Sequence, residues 1–312
     1  MTTTILRTPD AWYVLTPRGA ASIDTDAATT AQLLEHREAI GAAAARTDTV
    51  PVEDLTVLAP ITTPCRVVAQ MTNFASHVTD AGMNPDTIPL TFFRKASGSI
   101  SGPYADVVRP AHVQLLDYEV EIGLVIGRAV PVGSEITEDD LADHIAGLVV
   151  TNDVTARDVQ LPQTQFYEAK SYPTFTPVGP ALVLLDRDEL KRFTDLRLRL
   201  SVNGEARQDQ TVADMIYAPL QALQALARFQ HLDPGDLVLT GTPVGTALSA
   251  PPAPIAFLVS LLPTALKWKI FLDRQRKNPK YLQDGDVVEA TVTTDDGAID
   301  LGAQRTTVRW TR

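Results

Sequence analysis

The run from Gln114 to Arg128 constrains the fold more than any other part of the chain. In an extended segment successive side chains face opposite ways. Tyr118, Val120, Ile122, Leu124 and Ile126 then share one face as an unbroken apolar stripe, while Asp117, Glu119 and Glu121 share the other. Such a strand needs an apolar layer on one side and a means of managing three carboxylates on the other. Neighbouring carboxylates on one strand face stand roughly 7 Å apart. Like charges at that range repel, more strongly when half buried. Two arrangements relieve the repulsion. One is an edge strand whose acidic face is wet, which is common and needs no special explanation. The other is a hard divalent cation, because Mg²⁺, Mn²⁺ and Ca²⁺ take oxygen ligands. Spacing alone leaves both open.

The remainder of the chain reads as strands and turns with a few helices. Short apolar strands are expected at Arg66–Met71, Pro89–Lys95, Ala146–Asn152, Leu196–Val202, Leu237–Thr240, Val287–Val292 and Ile299–Trp310. Asn203-Gly204 is a strong two-residue hairpin signal, and Asp233-Pro-Gly-Asp236 and Asp284-Gly-Asp286 mark further turns. Helices are expected over Thr30–Arg46, over Thr137–His144 with Thr137 as cap, and over Met215–Phe229. No regular strand–helix–strand alternation appears. The fold class is therefore α+β and strand-rich, an antiparallel or mixed-sheet sandwich, not a doubly wound sheet. Residues 1–60 form a small N-terminal unit with a hairpin about Pro17-Arg18-Gly19, and Thr47–Pro64 is a connector holding three prolines. The main unit runs from Cys65 to the end.

Composition excludes several function classes. The 312 residues carry a net charge of -11 and a pI of about 4.9. That surface repels phosphate backbones, so neither nucleic acid nor an anionic membrane is an expected partner. A single cysteine, Cys65, rules out an intramolecular disulfide and suits a reducing cytoplasm. Met1–Arg7 holds no apolar signal core, so a cytoplasmic location is expected. Pro254–Leu272 approaches the length of a bilayer span, but Pro263 interrupts it and Lys267 and Lys269 lie within it. A partly amphipathic insertion is the better reading.

Several polar groups stand where chemistry would place them. Thr72-Asn73 can cap a helical turn in which His77 and Asp80, spaced i, i+3, share a face. That pair has the make-up of a general base and its orienter, and equally of two surface residues. Asp153 ends a buried strand, a usual position for a ligand or catalytic group, and Arg157, Asp158 and Gln160 follow on one turn. Lys170 enters a loop rich in proline and aromatic residues, where an ammonium can hold a carboxylate or keto oxygen. The small-residue loop Ala96–Pro103 can bring backbone amides to a ligand.

Read together, these stretches resemble the fumarylacetoacetate hydrolase family. The resemblance is carried by Asn73-Phe-x-x-His77-x-x-Asp80, Asp117-Tyr-Glu119-Val-Glu121, Asn152-Asp153-Val-Thr-Ala-Arg157-Asp158-Val-Gln160, Lys170 through Pro180, Val202-Asn-Gly-Glu205 with Gln208, and Gly241-Thr242-Pro243. It implies a mixed β-sandwich or roll with a small N-terminal domain, assembled as a homodimer or larger. It implies that Glu119, Glu121 and Asp153 ligate Mg²⁺, with Mn²⁺ or Ca²⁺ as alternatives, and that Asp117 is not a ligand. His77 matches the histidine that activates a water or moves a proton, with Asp80 where many members have Glu. Lys170 matches the lysine near the oxo-acid end of the substrate, and Arg157, Gln160 and Thr242 match residues lining the site. Two departures stand out. Gln70-Met71-Thr72 replaces a small, Gly-containing lead-in, and 41 residues separate Pro243 from Gly285, an insertion at about 245–283.

The activity implied is cleavage of a C–C bond in an acylpyruvate- or fumarylpyruvate-like 2,4-dioxo acid. His77, oriented by Asp80, would deprotonate a water, the expelled carbanion would be held as an enolate at the metal, and Lys170 would stabilise the developing charge. The same groups serve oxaloacetate decarboxylation or the hydration and isomerisation of unsaturated 2-oxo acids. A catalytically silent binding module is the remaining alternative.

Overall fold

The computed structural model describes residues 2–163, 166–248 and 263–311. Its strands build two main sheets. The larger has nine strands in the spatial order Gly19–Ser22, Trp12–Thr16, Thr3–Arg7, Leu182–Leu184, Ile145–Asn152, Val120–Ile126, Leu237–Leu239, Val67–Gln70 and Phe92–Lys95. The smaller has five, in the order Glu205–Thr211, Leu196–Val202, Val287–Thr294, Asp300–Trp310 and Val107–Arg109. Most pairings are antiparallel, but Leu237–Leu239 runs parallel to Val67–Gln70, and Asp300–Trp310 parallel to Val107–Arg109. The expected strand-rich α+β sandwich of mixed sheets is the architecture found.

The alternation read at Val120–Ile126 decides how the layers stack. Val120, Ile122, Leu124 and Ile126 enter one apolar core shared with Leu196, Leu198, Leu200 and Val202 and with Val288, Ala290 and Val292 of the smaller sheet. Val125 faces the other way, into a second core with Val67, Val149 and Leu237 and with Leu33, Leu34 and Ile40 of the helices Thr30–Glu35 and Arg37–Ala44. Every residue of Val120–Ile126 is buried. The strand lies at the centre of its sheet, so the wet acidic edge is excluded. The extended run also breaks where a single strand was expected. Leu116–Asp117 pairs with Thr155–Ala156, and the ladder resumes only at Val120.

Other departures have local causes. The helix expected over Thr30–Arg46 is interrupted at His36, whose backbone sits at φ -92, ψ 46 and whose Nδ1 lies 2.5 Å from the Thr25 hydroxyl. Met215–Phe229 shortens to Pro219–Leu226, because Met215 is drawn into a bridge with Phe74 and Pro219 takes a first-turn position, which suits it. Thr137 does not cap a helix: its hydroxyl donates to Asp140 at 2.7 Å, and the helix is only Leu141–His144. The N-terminal strands do not make a sheet of their own, since Thr3–Arg7 pairs with Leu182–Leu184 and extends the large sheet. Within the insertion the described residues form the helix Thr264–Gln275. The preceding part of the apolar segment, 254–262, lies outside the described residues, and among those described no helix is long and apolar enough to cross a membrane.

Close packing at the centre yields a test. A Cβ added at Gly147 would overlap the Val183 carbonyl oxygen of the neighbouring strand. Gly147→Ala is expected to lower stability by about 3 kcal/mol, the upper end for overpacking, read as a lower urea midpoint at an unchanged m-value. A midpoint equal to that of the wild type would show that the strands part without cost.

Candidate active site

The antiparallel ladder between Val120–Ile126 and Ile145–Asn152 places Thr151 opposite Glu121 and Asn152 opposite Val120. Beyond it, the Asp153 N–H donates to the Glu119 carbonyl at 2.8 Å, and the Asn152 side-chain oxygen accepts the Glu119 N–H at 2.9 Å. Residues more than thirty positions apart are thereby locked side by side. Glu119, Glu121 and Asp153 are buried, and one carboxylate oxygen from each lies within 4.8 Å of the others.

A third segment closes the group from below. Leu237–Leu239 continues into Thr240-Gly241-Thr242-Pro243, strapped to the acidic strand by Thr240 Oγ1 to the Ile122 carbonyl (3.0 Å) and Thr242 Oγ1 to the Val120 carbonyl (2.9 Å). The Gly241 N–H donates to Glu121 Oε2 at 2.7 Å. Gly241 holds φ +87, and a Cβ there would lie 2.8 Å from Asn73 Cβ, so a larger residue would push this donor away. Gln208 Nε2 donates to Thr242 Oγ1 and to the Pro243 carbonyl, both at 2.8 Å.

Three cations meet the carboxylates. Lys170 Nζ bridges Glu119 Oε2 at 2.6 Å and Asp153 Oδ2. Arg157 spends its guanidinium on Asp117 (Nε, 2.8 Å), on Glu119, and on Gln160 Oε1 (2.8 Å). Lys95 donates to Asp153 Oδ1 and to the Phe175 carbonyl. Glu121 has no ion pair among the described residues.

The electrostatic consequences differ for each group. Burial opposes ionisation of Glu119, but Lys170 and Arg157 outweigh it and hold the carboxyl at about 2. Burial pushes Glu121 well above the ordinary carboxylate range, and Asp153 and Glu119 push the same way. Burial pulls Lys170 down, yet Asp153 and Glu119 leave it raised. Lys95 ends lowered, burial being the larger effect. Burial lowers His77; Glu119 and Asp117 act against it and Arg157 and Lys170 with it, and the net shift is downward, so the neutral imidazole is favoured.

These groups face a cavity of about 290 Å³ lined also by Gln70, His77, Phe93 and Phe166. His77, Arg157, Gln160, Lys170, Thr242 and the three carboxylates all lie on it, so one cavity gathers the sequence-selected residues except Asp80. Asp80 is exposed at the end of the helix Ala75–Asp80, and the buried His77 Nδ1 has no hydrogen-bond partner among the described residues. The expected orientation of His77 by Asp80 is thus absent: one helical turn carries the carboxylate out to solvent. Asn73 does not cap that helix either. Its amide donates to the carbonyls of Tyr217 (3.0 Å) and Thr240 (2.9 Å), tying the helix entry to the strap. Arg157 is an organiser of Asp117 and Glu119, not an open substrate clamp. Asp117 accepts from Arg157 and from the backbone N–H groups of Ala247 (2.7 Å) and Leu248 (3.1 Å), which anchors the start of the insertion.

Two residues escaped sequence reasoning. Lys95 ended the short strand segment Phe-Phe-Arg-Lys and carried no motif. Gln70 stood out only as part of an unusual lead-in. It is buried, lines the cavity, and neither of its amide atoms has a partner among the described residues.

The donor set suits a hard divalent cation. It offers three carboxylates and no sulfur, and the uncompensated Glu121 is the charge a cation would satisfy.

Comparison with known proteins agrees with the geometry. The sequence pattern of the fumarylacetoacetate (FAA) hydrolase C-terminal family matches residues 66–309. A protein of Homo sapiens named as a mitochondrial oxaloacetate tautomerase is 36% identical over 231 residues, 72% of each chain. A Bos taurus protein of the same description is 35% identical over 205 residues, 65% of this chain and 63% of that protein, so the match spans less than two thirds of its length. The crystal structure of a probable 2-hydroxyhepta-2,4-diene-1,7-dioate isomerase from Mycobacterium abscessus superposes with a TM-score of 0.76 at 29% identity, covering 100% of both chains.

Glu121 supplies a pH test. A carboxyl raised in the folded state costs stability once the pH exceeds its unfolded value near 4.5, and the loss grows until its folded value is reached. Glu121→Gln removes that loss and keeps an acceptor for Gly241. In excess chelator near neutral pH the variant is expected to melt about 2–4 °C above wild type, with the gap closing below pH 4.5. Equal midpoints at neutral pH would refute the strained carboxyl.

Proposed function

Because the chain belongs to the fumarylacetoacetate hydrolase family, an enzyme family, we propose that it is a divalent-metal-dependent enzyme that moves a proton within a 2-oxo diacid. The substrate class is an oxaloacetate-like acid, interconverted between enol and keto forms, or an unsaturated 2-oxo diacid whose double bond is shifted. The observation that carries this reading is His77: a neutral-favouring imidazole that lines the cavity of the carboxylate triad and Lys170, with its buried Nδ1 lacking a hydrogen-bond partner among the described residues. A base placed so can accept and return a proton. Hydrolysis asks more, since the base must also aim a water, and Asp80 does not orient it. The names of the relatives, a tautomerase and a probable isomerase, support the same reading.

Glu119, Glu121 and Asp153 would hold the ion, Mg²⁺ first and Mn²⁺ or Ca²⁺ as alternatives. When bound it supplies Lewis-acid polarisation of the substrate carboxylate and the adjacent oxygen. His77 takes the proton from the carbon beside the keto group. The carbonyl oxygen gains the negative charge, the Lys170 ammonium faces it, and the His77 imidazolium returns the same proton to that oxygen to give the enol. For the double-bond shift the same imidazole returns its proton to the far carbon. Arg157 keeps Glu119 in place, and Gln160 and Thr242 shape the wall. We take residues 1–60 as an accessory N-terminal unit, 65–312 as the catalytic unit, and a cytoplasmic homodimer as the working form.

Cleavage of an acylpyruvate, the activity placed first from sequence, becomes the second reading, supported by the intact ligand set, His77 and Lys170. A panel of enol-oxaloacetate, unsaturated 2-oxo diacids, acylpyruvates and fumarylpyruvate with Mg²⁺ or Mn²⁺ separates the two. Proton shifts without loss of carbon are expected, whereas pyruvate release from acylpyruvates alone would overturn the order. Glu119→Gln is expected to lose both metal and turnover. His77→Ala is expected to lose about 10²–10⁴-fold in turnover with metal affinity nearly unchanged. Turnover retained by His77→Ala would remove it from the proton path.

A further inference from the structure

The geometry points to Lys95 as a positioning residue of the metal centre, holding Asp153 from behind so that Asp153 Oδ2 is the oxygen presented to a cation. The inference rests on the proposed ligand set. Lys95 ends the edge strand Phe92–Lys95, opposite Val67. Its side chain is wholly buried, and it is not among the residues lining the cavity. Its Nζ donates to Asp153 Oδ1 and, at 2.9 Å, to the Phe175 carbonyl. That carbonyl also accepts the Val154 N–H at 3.2 Å. Lys95 therefore clips the Asp153-Val154 turn to the loop that follows Lys170.

The two lysines on Asp153 divide the work. Lys170 reaches Oδ2, shares itself with Glu119 and lies on the cavity. An incoming cation or substrate oxygen must share or shift that ammonium. Lys95 reaches Oδ1 and has no other carboxylate partner among the described residues. The terminal torsion of an aspartate is broad and roughly two-fold, so without Lys95 either oxygen can turn toward the cavity. A donor on Oδ1 removes that freedom, as donors to the outer atoms of ligand side chains do in metal sites.

The test is Mn²⁺ binding to the full chain, followed by calorimetry and by the electron paramagnetic resonance spectrum of the bound ion. Lys95→Met is expected to weaken the dissociation constant roughly 10- to 100-fold and to broaden the Mn²⁺ spectrum. Lys95→Gln, which keeps a donor, should lose less. Circular dichroism and melting in chelator establish that each variant is folded, and a purely structural role would lower the midpoint while leaving the spectrum of bound Mn²⁺ as in wild type. Folded variants with wild-type affinity and spectrum overturn the inference and leave the ligand set standing. A wild-type chain that takes up no Mn²⁺ overturns both. If neither variant folds, lysine-selective ¹⁵N resonances of wild type decide: the Lys95 ammonium should stay protected from exchange on adding Mg²⁺ while that of Lys170 moves. An exchanging Lys95 overturns the assignment.

Discussion

The ladder between Val120–Ile126 and Ile145–Asn152 is the constraint on which the site depends. Its register joins Glu119 and Glu121 to Asp153 through backbone hydrogen bonds, before any side chain has chosen a partner. A one-residue slip would turn Glu121 into the apolar core and Ile122 into the cavity. The cores on both faces of the sheet oppose such a slip, because each alternate residue along these strands already fills one of them. Packing and chemistry thus select the same register.

Charge balance follows from that register. Asp117, Glu119, Glu121 and Asp153 are buried beside Lys95, Arg157 and Lys170, so four carboxylates meet three cations and one negative charge remains. Buried charges are tolerated when paired and hydrogen-bonded, and an unpaired one is costly. The residue left over is Glu121, whose carboxyl is pushed toward its neutral form. A divalent cation among the three carboxylates would reverse that push and hold Glu121 ionised. The same economy explains Asp117, which shares the strand face of the ligands but is consumed by Arg157 and the backbone of Ala247 and Leu248. Through it the start of the insertion is joined to the side chain that steadies Glu119.

Much of this was legible in advance, and the gaps have physical reasons. The alternation at 118–126, the Asn203-Gly204 hairpin and the strand at Leu196–Val202 are local patterns, and the structure contains them. The residues of the cavity were legible because their spacing and residue types recur as a set, and eight of the nine selected line it. Asp80 failed because one turn of rise along the helix carries it from the cavity, where His77 lies, to the exposed helix end. Lys95 and Gln70 were missed because a single lysine or glutamine at a strand end resembles any other until burial is known. Helix ends were misjudged at His36, Thr137 and Met215, where bonds to distant residues or nearby side chains override propensity.

By itself the sequence determined the strand-rich character of the chain, the position of its turns, the acidic strand and the kinship of its motifs, because these depend on residues within a few positions of one another. Only the tertiary structure decided that the acidic strand is central and dry, that Asp117 is taken up by Arg157 and the backbone of Ala247 and Leu248, that Arg157 is thereby already engaged, and that Lys95 stands behind the third carboxylate. Those outcomes are set by pairings across tens of residues and by the removal of water, which alters the cost of a charge far more than any neighbour in sequence.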